Sequence, residues 1–235
     1  MEEQKGVLVL SLDFELFWGV QEKKTIEGYK ENLLGVRSVV PAVLRLFDDY
    51  GIHATWATVG LLLFATREEL IEGLPVKRPH YVNSRLSPYS HIDNVGDDEE
   101  DDPFHYAASL AKMIISYPGQ EMGCHTFCHY FCLDGENDID AFKDDLEAAI
   151  RIAGKYELDL QSIVFPRNQF NEKYLSICKE LKIRAYRGNG HPWFYRTKSY
   201  MKKTLPIRVL RLADTYFNVS GRNCYSLSKL KQSYP

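Results

Sequence analysis

The segment GCHTFCHYFC, residues 123–132, places two histidines and three cysteines within ten positions. His125 and His129 are four apart, a spacing that lets both imidazoles reach one ion from a helical turn or a tight loop. Near the amino terminus, Asp13 and Glu15 are two apart after an apolar run, so as strand residues they project the same way and can supply the carboxylate of a three-ligand site. The plainer reading makes the histidines hydrogen-bonded packing groups and the acids caps or salt-bridge partners; the four residues taken together favour a metal. Cys124, Cys128 and Cys132 offer a competing, closed zinc site. Cys124 and His125 are adjacent and would diverge, however, and the paired C-x-x-C knuckles of zinc folds are missing. Buried free thiols fit better, and Cys178, on the apolar face of a predicted helix, reads as core. Arg167, in FPRNQ, can orient a carboxylate by a bidentate contact and depress its pKa.

Those side chains need elements to position them. Residues 7–12, VLVLSL, predict a strand buried on both faces; 53–59 predict a second, 121–125 the end of a third, 162–166 a fourth, 184–187 a fifth and 207–212 another. Val39, Val40, Val43, Leu44 and Phe47 recur at helical spacing, with Ser38 as N-cap, Pro41 in the first turn and Gly51 as stop. Ile139, Phe142, Leu146, Ala149, Ile150 and Ala153 predict an amphipathic helix behind Asp138, and a further helix follows Asn171 through Tyr174, Leu175, Cys178 and Leu181. Strands alternating with helices imply a parallel α/β sheet, either doubly wound or a barrel, whose strand carboxyl ends share one rim. Asp13, Glu15, His125, His129 and Arg167 all fall at that rim. No repeat or linker divides the chain, so 1–235 reads as a single domain, with 67–119 as an elaborated surface loop.

Composition excludes several classes. With 235 residues, 45% hydrophobic and 26% charged, the chain can bury a core without staples and is neither disordered nor fibrous. Six of its 32 acids lie in the run DDEEDD, residues 97–102, which reads as a solvated loop; the remaining 26 acids against 29 bases leave no basic stripe for nucleic acid. The start MEEQKGVLVLSLDFE lacks the basic, greasy pattern of an export signal, and no apolar run spans a membrane. The five cysteines, an odd number, are then expected to be reduced thiols and the protein cytoplasmic.

In combination, SLDFE (residues 11–15), HTFCH (125–129) and FPRNQ (165–169) resemble, in order, the motifs of the polysaccharide deacetylase family, the nodulation-type chitooligosaccharide deacetylase homologues of carbohydrate esterase family four. The resemblance spans roughly the first 190 residues. It implies a distorted (β/α) barrel, one divalent metal (Zn foremost, with Co, Ni or Mn as alternatives) and removal of acetyl groups from N- or O-acetylated sugars. Residue by residue, it makes Asp13 the general base, Glu15, His125 and His129 the metal ligands, and Arg167 the group that holds the base. Trp18, His191 and Trp193, whose aromatic faces suit a sugar ring or simple packing alike, and Asn168 are then expected to contact an acetylated saccharide. The usual first motif has adjacent aspartates; here Phe14 intervenes, which leaves the division of labour between Asp13 and Glu15 open. The family's last motif supplies a histidine as general acid, and no histidine follows Asp214. The barrel is therefore expected to be incomplete at its carboxyl end, through truncation or a shortened gene product, or else to recruit His191. Rival functions are a carbon–nitrogen amidohydrolase acting on a small nitrogen compound, an inactive carbohydrate-binding or scaffold domain, and a structural zinc domain built on the cysteines.

Overall fold

The computed structural model describes residues 6–134, 138–188, 193–195 and 204–221. Its centre is a sheet of five short strands, β1 (Ser11–Phe14), β2 (Ala54–Thr58), β3 (Gln120–Cys124), β4 (Ser162–Val164) and β5 (Ala185–Arg187). All neighbours pair in parallel, and the strand order is the chain order. Sequential order without a switch point means that the chain advances in one direction around the sheet, which is barrel winding rather than doubly wound. The sheet also curls. Arg187, at the end of β5, donates to Ser11 Oγ at 2.8 Å and to Asp13 Oδ1 at 3.2 Å, although β5 and β1 are its two edges. The expected (β/α) barrel is thus present among the described residues as an open five-stranded segment.

Four expectations are corrected. Residues 7–10 are not strand, and Val7, Leu8 and Val9 are exposed: β2 pairs with β1 from Ser11 onward and reaches back only to the Leu10 carbonyl, which accepts from Thr55 N at 3.0 Å. Helix α1 (Ile26–Asp49) begins well before Ser38, capped by the Thr25 hydroxyl, which accepts from Gly28 N at 3.2 Å. The early turns carry Ile26, Tyr29, Leu33 and Val36, which extend the Val40, Val43, Leu44 and Phe47 stripe onto the core and hold Pro41 deep inside the helix. Gly51, at φ 59°, is the stop.

Residues 67–119 are not one irregular loop. They form α2 (Arg67–Glu72), three 3-10 turns and α3 (Ala108–Ser116), and they bury Leu70, Ile92, Val95, Tyr106, Leu110 and Ile114 in the core. The acidic run inside them is ordered by its own backbone. Asp98 Oδ1 accepts from Glu100 N and Asp101 N, while the buried Asp102 accepts from Gly96 N and Phe104 N. Finally, residues 207–212 belong to helix α6 (Leu205–Phe217), entered behind Thr204 with Pro206 in its first turn and ended by left-handed Asn218. An apolar run of that length fits either period, and the terminal residues decide it.

The other two helices follow the pattern of their sequences. Helix α4 (Ile139–Gly154) starts at Asp138, whose carboxylate accepts from Ala141 N at 3.0 Å. Its Phe142 stacks on Tyr174 at 4.1 Å, just before α5 (Leu175–Glu180), and burying such a ring contributes about 2–3 kcal/mol. Cys124, Cys128, Cys132 and Cys178 are buried free thiols in the same core, and Cys224 lies outside the described residues. No helix among the described residues is long and apolar enough to cross a membrane.

Candidate metal centre

The site grows from three strand ends. After β1 the chain turns into a short 3-10 turn, Leu16–Gly19, and Glu15 at its start folds its side chain back along it. Gly19 makes that path possible: a Cβ there would lie 1.9 Å from Glu15 Cδ. After β3 comes the loop of His125 and His129, and after β4 the turn Pro166–Asn168. Positive φ angles at Leu16, Thr126, His129, Arg167 and Asn168 concentrate backbone strain on this one rim.

The histidine loop is held by a buried carboxylate. Asp145 of α4, with 0% exposure, accepts from Phe127 N at 2.7 Å and Cys128 N at 3.1 Å; burial outweighs these bonds and pushes its pKa up to about 6. Thr126 Oγ1 accepts from Tyr130 N at 2.7 Å, and the Tyr81 hydroxyl accepts from Phe131 N at 3.0 Å. His125 N donates to Thr58 O of β2 at 2.9 Å, which ties the loop to the sheet. A left-handed residue such as His129 costs about 1 kcal/mol or more, and this network offsets it.

Both imidazoles are turned on Glu15. His125 Nε2 and His129 Nε2 each lie 3.2 Å from Glu15 Oε2. His125 Nδ1 lies 2.8 Å from the Val164 carbonyl and donates to it, so in the neutral ring Nε2 is the nitrogen left with a lone pair. His129 Nδ1 is buried and has no hydrogen-bond partner among the described residues. Burial alone would raise the Glu15 pKa, but when the two imidazoles are protonated their Nε2–H groups donate to it, and with their positive charge they hold it well below the ordinary carboxylate range. Burial lowers the His129 pKa. One carboxylate and two fixed imidazoles, each with a ligand atom within 4.8 Å of the others, make the donor set of a three-ligand site for a divalent ion. Among the described residues no other such group of three occurs, and the cysteines form none.

Glu15, His125 and His129 are therefore brought together as expected, while Arg167 and Trp18 are turned to other partners. Arg167 does not reach Asp13: its guanidinium donates to Gly19 O at 2.6 Å and pairs with Glu22, because the left-handed turn at Arg167 and Asn168 directs it toward the Leu16–Gly19 turn. Asp13, exposed on the inner face of β1, is held by Arg187, which also donates to Asn168 Oδ1 at 3.3 Å. Trp18 is no sugar platform; it is fully buried and donates its indole N–H to His105 O at 2.9 Å. Trp193 is 63% exposed, in the turn Trp193–Tyr195, and His191 lies outside the described residues. Sequence reasoning missed Arg187, Glu22 and Asp145. Arg187 carried a signal, since it ends a predicted strand at the same rim, and Asp145 stood as a lone acid on the apolar face of a predicted helix.

No protein-family model and no curated protein matches this chain. Similar solved structures include wild-type BA3943, a CE4 family pseudoenzyme from Bacillus anthracis (TM-score 0.44, 15% identity, 78% of this chain and 43% of that one). They also include the Streptococcus pyogenes deacetylase PplD in complex with acetate (TM-score 0.45, 12% identity, 77% of this chain and 55% of that one). A third is the BpsB deacetylase domain from Bordetella bronchiseptica (TM-score 0.42, 15% identity, 76% of this chain and 62% of that one). This chain spans less than two thirds of each of those chains.

Proposed function

We propose that this chain is a divalent-metal-dependent hydrolase that removes acetyl groups from N- or O-acetylated saccharides, with Glu15, His125 and His129 as the metal ligands. The observation that carries the reading is the meeting of one ionised carboxylate and two buried imidazoles at a single point on the rim. Two nitrogens and an oxygen suit Zn²⁺, with Co²⁺, Ni²⁺ and Mn²⁺ as alternatives. When bound, the ion supplies Lewis acidity, polarising an acyl oxygen and acidifying water. The residues of the chain do the rest. Glu15 supplies negative charge, the Val164 carbonyl keeps the His125 ring aimed, and Asp13 is the base that takes the proton of the attacking water. Arg187, reaching across the curled sheet, holds Asp13 in the role that the motif pattern gave to Arg167.

The second reading, a saccharide-binding domain without turnover, draws on two observations. Arg167 is committed to Glu22 and Gly19, and Asp13 is exposed rather than enclosed. Acetate release from N-acetylglucosamine oligomers with added Zn²⁺ separates the readings: release by the intact chain supports the hydrolase, whereas saccharide binding with no acetate at any metal loading supports the second. Release of product from a small cyclic ureide instead would point to the carbon–nitrogen amidohydrolase.

A further inference from the structure

Helix α6 presents its apolar side to solvent. Leu205, Val209, Leu212 and Tyr216 follow the i, i+4, i+7, i+11 spacing that lines side chains up along one helix face, and each is between 54% and 76% exposed. The opposite face does the packing. Ile207 is buried there, Arg211 Nε donates to the Phe194 carbonyl at 3.0 Å, and Asp214 accepts from the Tyr195 hydroxyl at 2.6 Å. A surface helix ordinarily turns its apolar stripe inward, so four large apolar side chains in an outward row mark a contact surface.

Charge indicates what that surface meets. Nine of the 29 lysines and arginines but only one of the 32 acids fall in residues 193–235, a strongly positive stretch in a chain whose net charge is −3. The one acid is Asp214, engaged on the packed face, while the exposed Arg208 borders the apolar row. A second copy of the chain is a poor match. It would bring two positive stretches together, and four side chains fall far short of the roughly 20–30 residues a side of a standard interface. Nucleic acid would attract the positive charge but leave the apolar row in water.

An anionic lipid surface answers both features. It takes the row into the boundary between headgroups and acyl chains and Arg208 to its phosphates, while its field draws in the positive stretch. At 13 residues, about 20 Å, α6 suits a helix lying in that boundary. Tyr216 and the exposed Trp193 in the adjoining turn are residue types that favour it. We infer that α6 is a docking surface for an anionic membrane, on which it lies without crossing, and that the proposed metal centre takes no part in the contact.

Co-sedimentation of the intact chain with vesicles tests this. Vesicles of about one-third phosphatidylglycerol in phosphatidylcholine should carry the protein down, pure phosphatidylcholine at least about tenfold less, and about 0.5 M salt should release it. Leu212→Gln should weaken binding about tenfold or more and Arg208→Gln about fivefold, both with unfolding unchanged because neither side chain is buried. His125→Ala/His129→Ala should bind as the intact chain does. The comparison of lipids alters nothing in the chain, so it decides the matter even if a variant misfolds. Equal binding to the two lipid mixtures overturns the inference, as does a folded Leu212→Gln variant that binds undiminished. Absence of vesicle binding also overturns it, and binding of a DNA duplex in its place would assign the positive stretch to nucleic acid.

Discussion

His125 and His129 are 0% and 1% exposed, in a loop whose backbone is bonded to Asp145, Tyr81 and the neighbouring strand β2. On the other side of the same centre, Asp13 stands exposed on an edge strand, and the Glu15 side chain keeps 24% of its surface open, shaped chiefly by the room that Gly19 leaves. The imidazole side is thus set by buried polar scaffolding, which resists perturbation until a strut is removed. The carboxylate side is set by steric space and one long-range arginine, so it should yield to small changes without loss of the fold. This division suits a metal site that must be rigid where it grips and open where a substrate and water enter.

The comparison can be broken or sharpened by substitution. Asp13→Asn on the open side should lower acetate release by about 10²–10⁴-fold while metal content and stability stay put, checked by steady-state assay beside metal analysis. If turnover is unaffected, Asp13 is not the base. On the closed side, Asp145→Ala leaves the Phe127 and Cys128 amides without their acceptor and should cost about 3 kcal/mol in denaturant unfolding. A loss below about 0.5 kcal/mol, the range of ordinary surface changes, would show that the loop is not held from beneath. Gly19→Ala should leave unfolding nearly unchanged but weaken metal binding about ten- to a hundredfold, because the new methyl occupies the place of the Glu15 carboxylate. Undiminished affinity would mean that Glu15 is not a ligand.

The smallest effect concerns pH. Burial lowers the His129 pKa, so the folded ring stays neutral to a lower pH than an ordinary histidine, and Glu15 stays ionised below the usual carboxylate range. Protons therefore compete with metal at His129 only as the pH falls below about 6.5, after which affinity should drop by up to about tenfold per pH unit. Direct metal titration at several pH values checks this, and an affinity already falling between about pH 8 and pH 7 would contradict it.

The meeting of Glu15, His125 and His129 was legible in the sequence because the three residues sit in short motifs whose spacing itself carries geometry: His125 and His129 on one loop, Glu15 two residues past Asp13. The parallel alternation was legible for a similar reason, since apolar runs alternating with helical stretches leave few topologies, whereas the choice of barrel over doubly wound sheet came only from the family resemblance. The exchange of Arg167 for Arg187 beside Asp13 was not, because it depends on the curl that brings opposite sheet edges together and on a left-handed turn at a non-glycine residue. Trp18 was misplaced because an indole near a rim looks the same in sequence whether it faces solvent or, as here, donates inward to His105 O. The early turns of α1 were hidden by charged residues between Ile26 and Val36, which obscure a stripe that is nonetheless continuous. The 67–119 region failed for a different reason: its order comes from side-chain caps within an acidic run, a local hydrogen-bonding pattern that charge counting reads as repulsion.

The central claim is tested most directly by measuring bound metal, through equilibrium dialysis against Zn²⁺ followed by elemental analysis, on the intact chain and on His125→Ala/His129→Ala. The account predicts about one ion per chain for the first and little above background for the second, with the variant still folded. An equal ion content in the two proteins would contradict it.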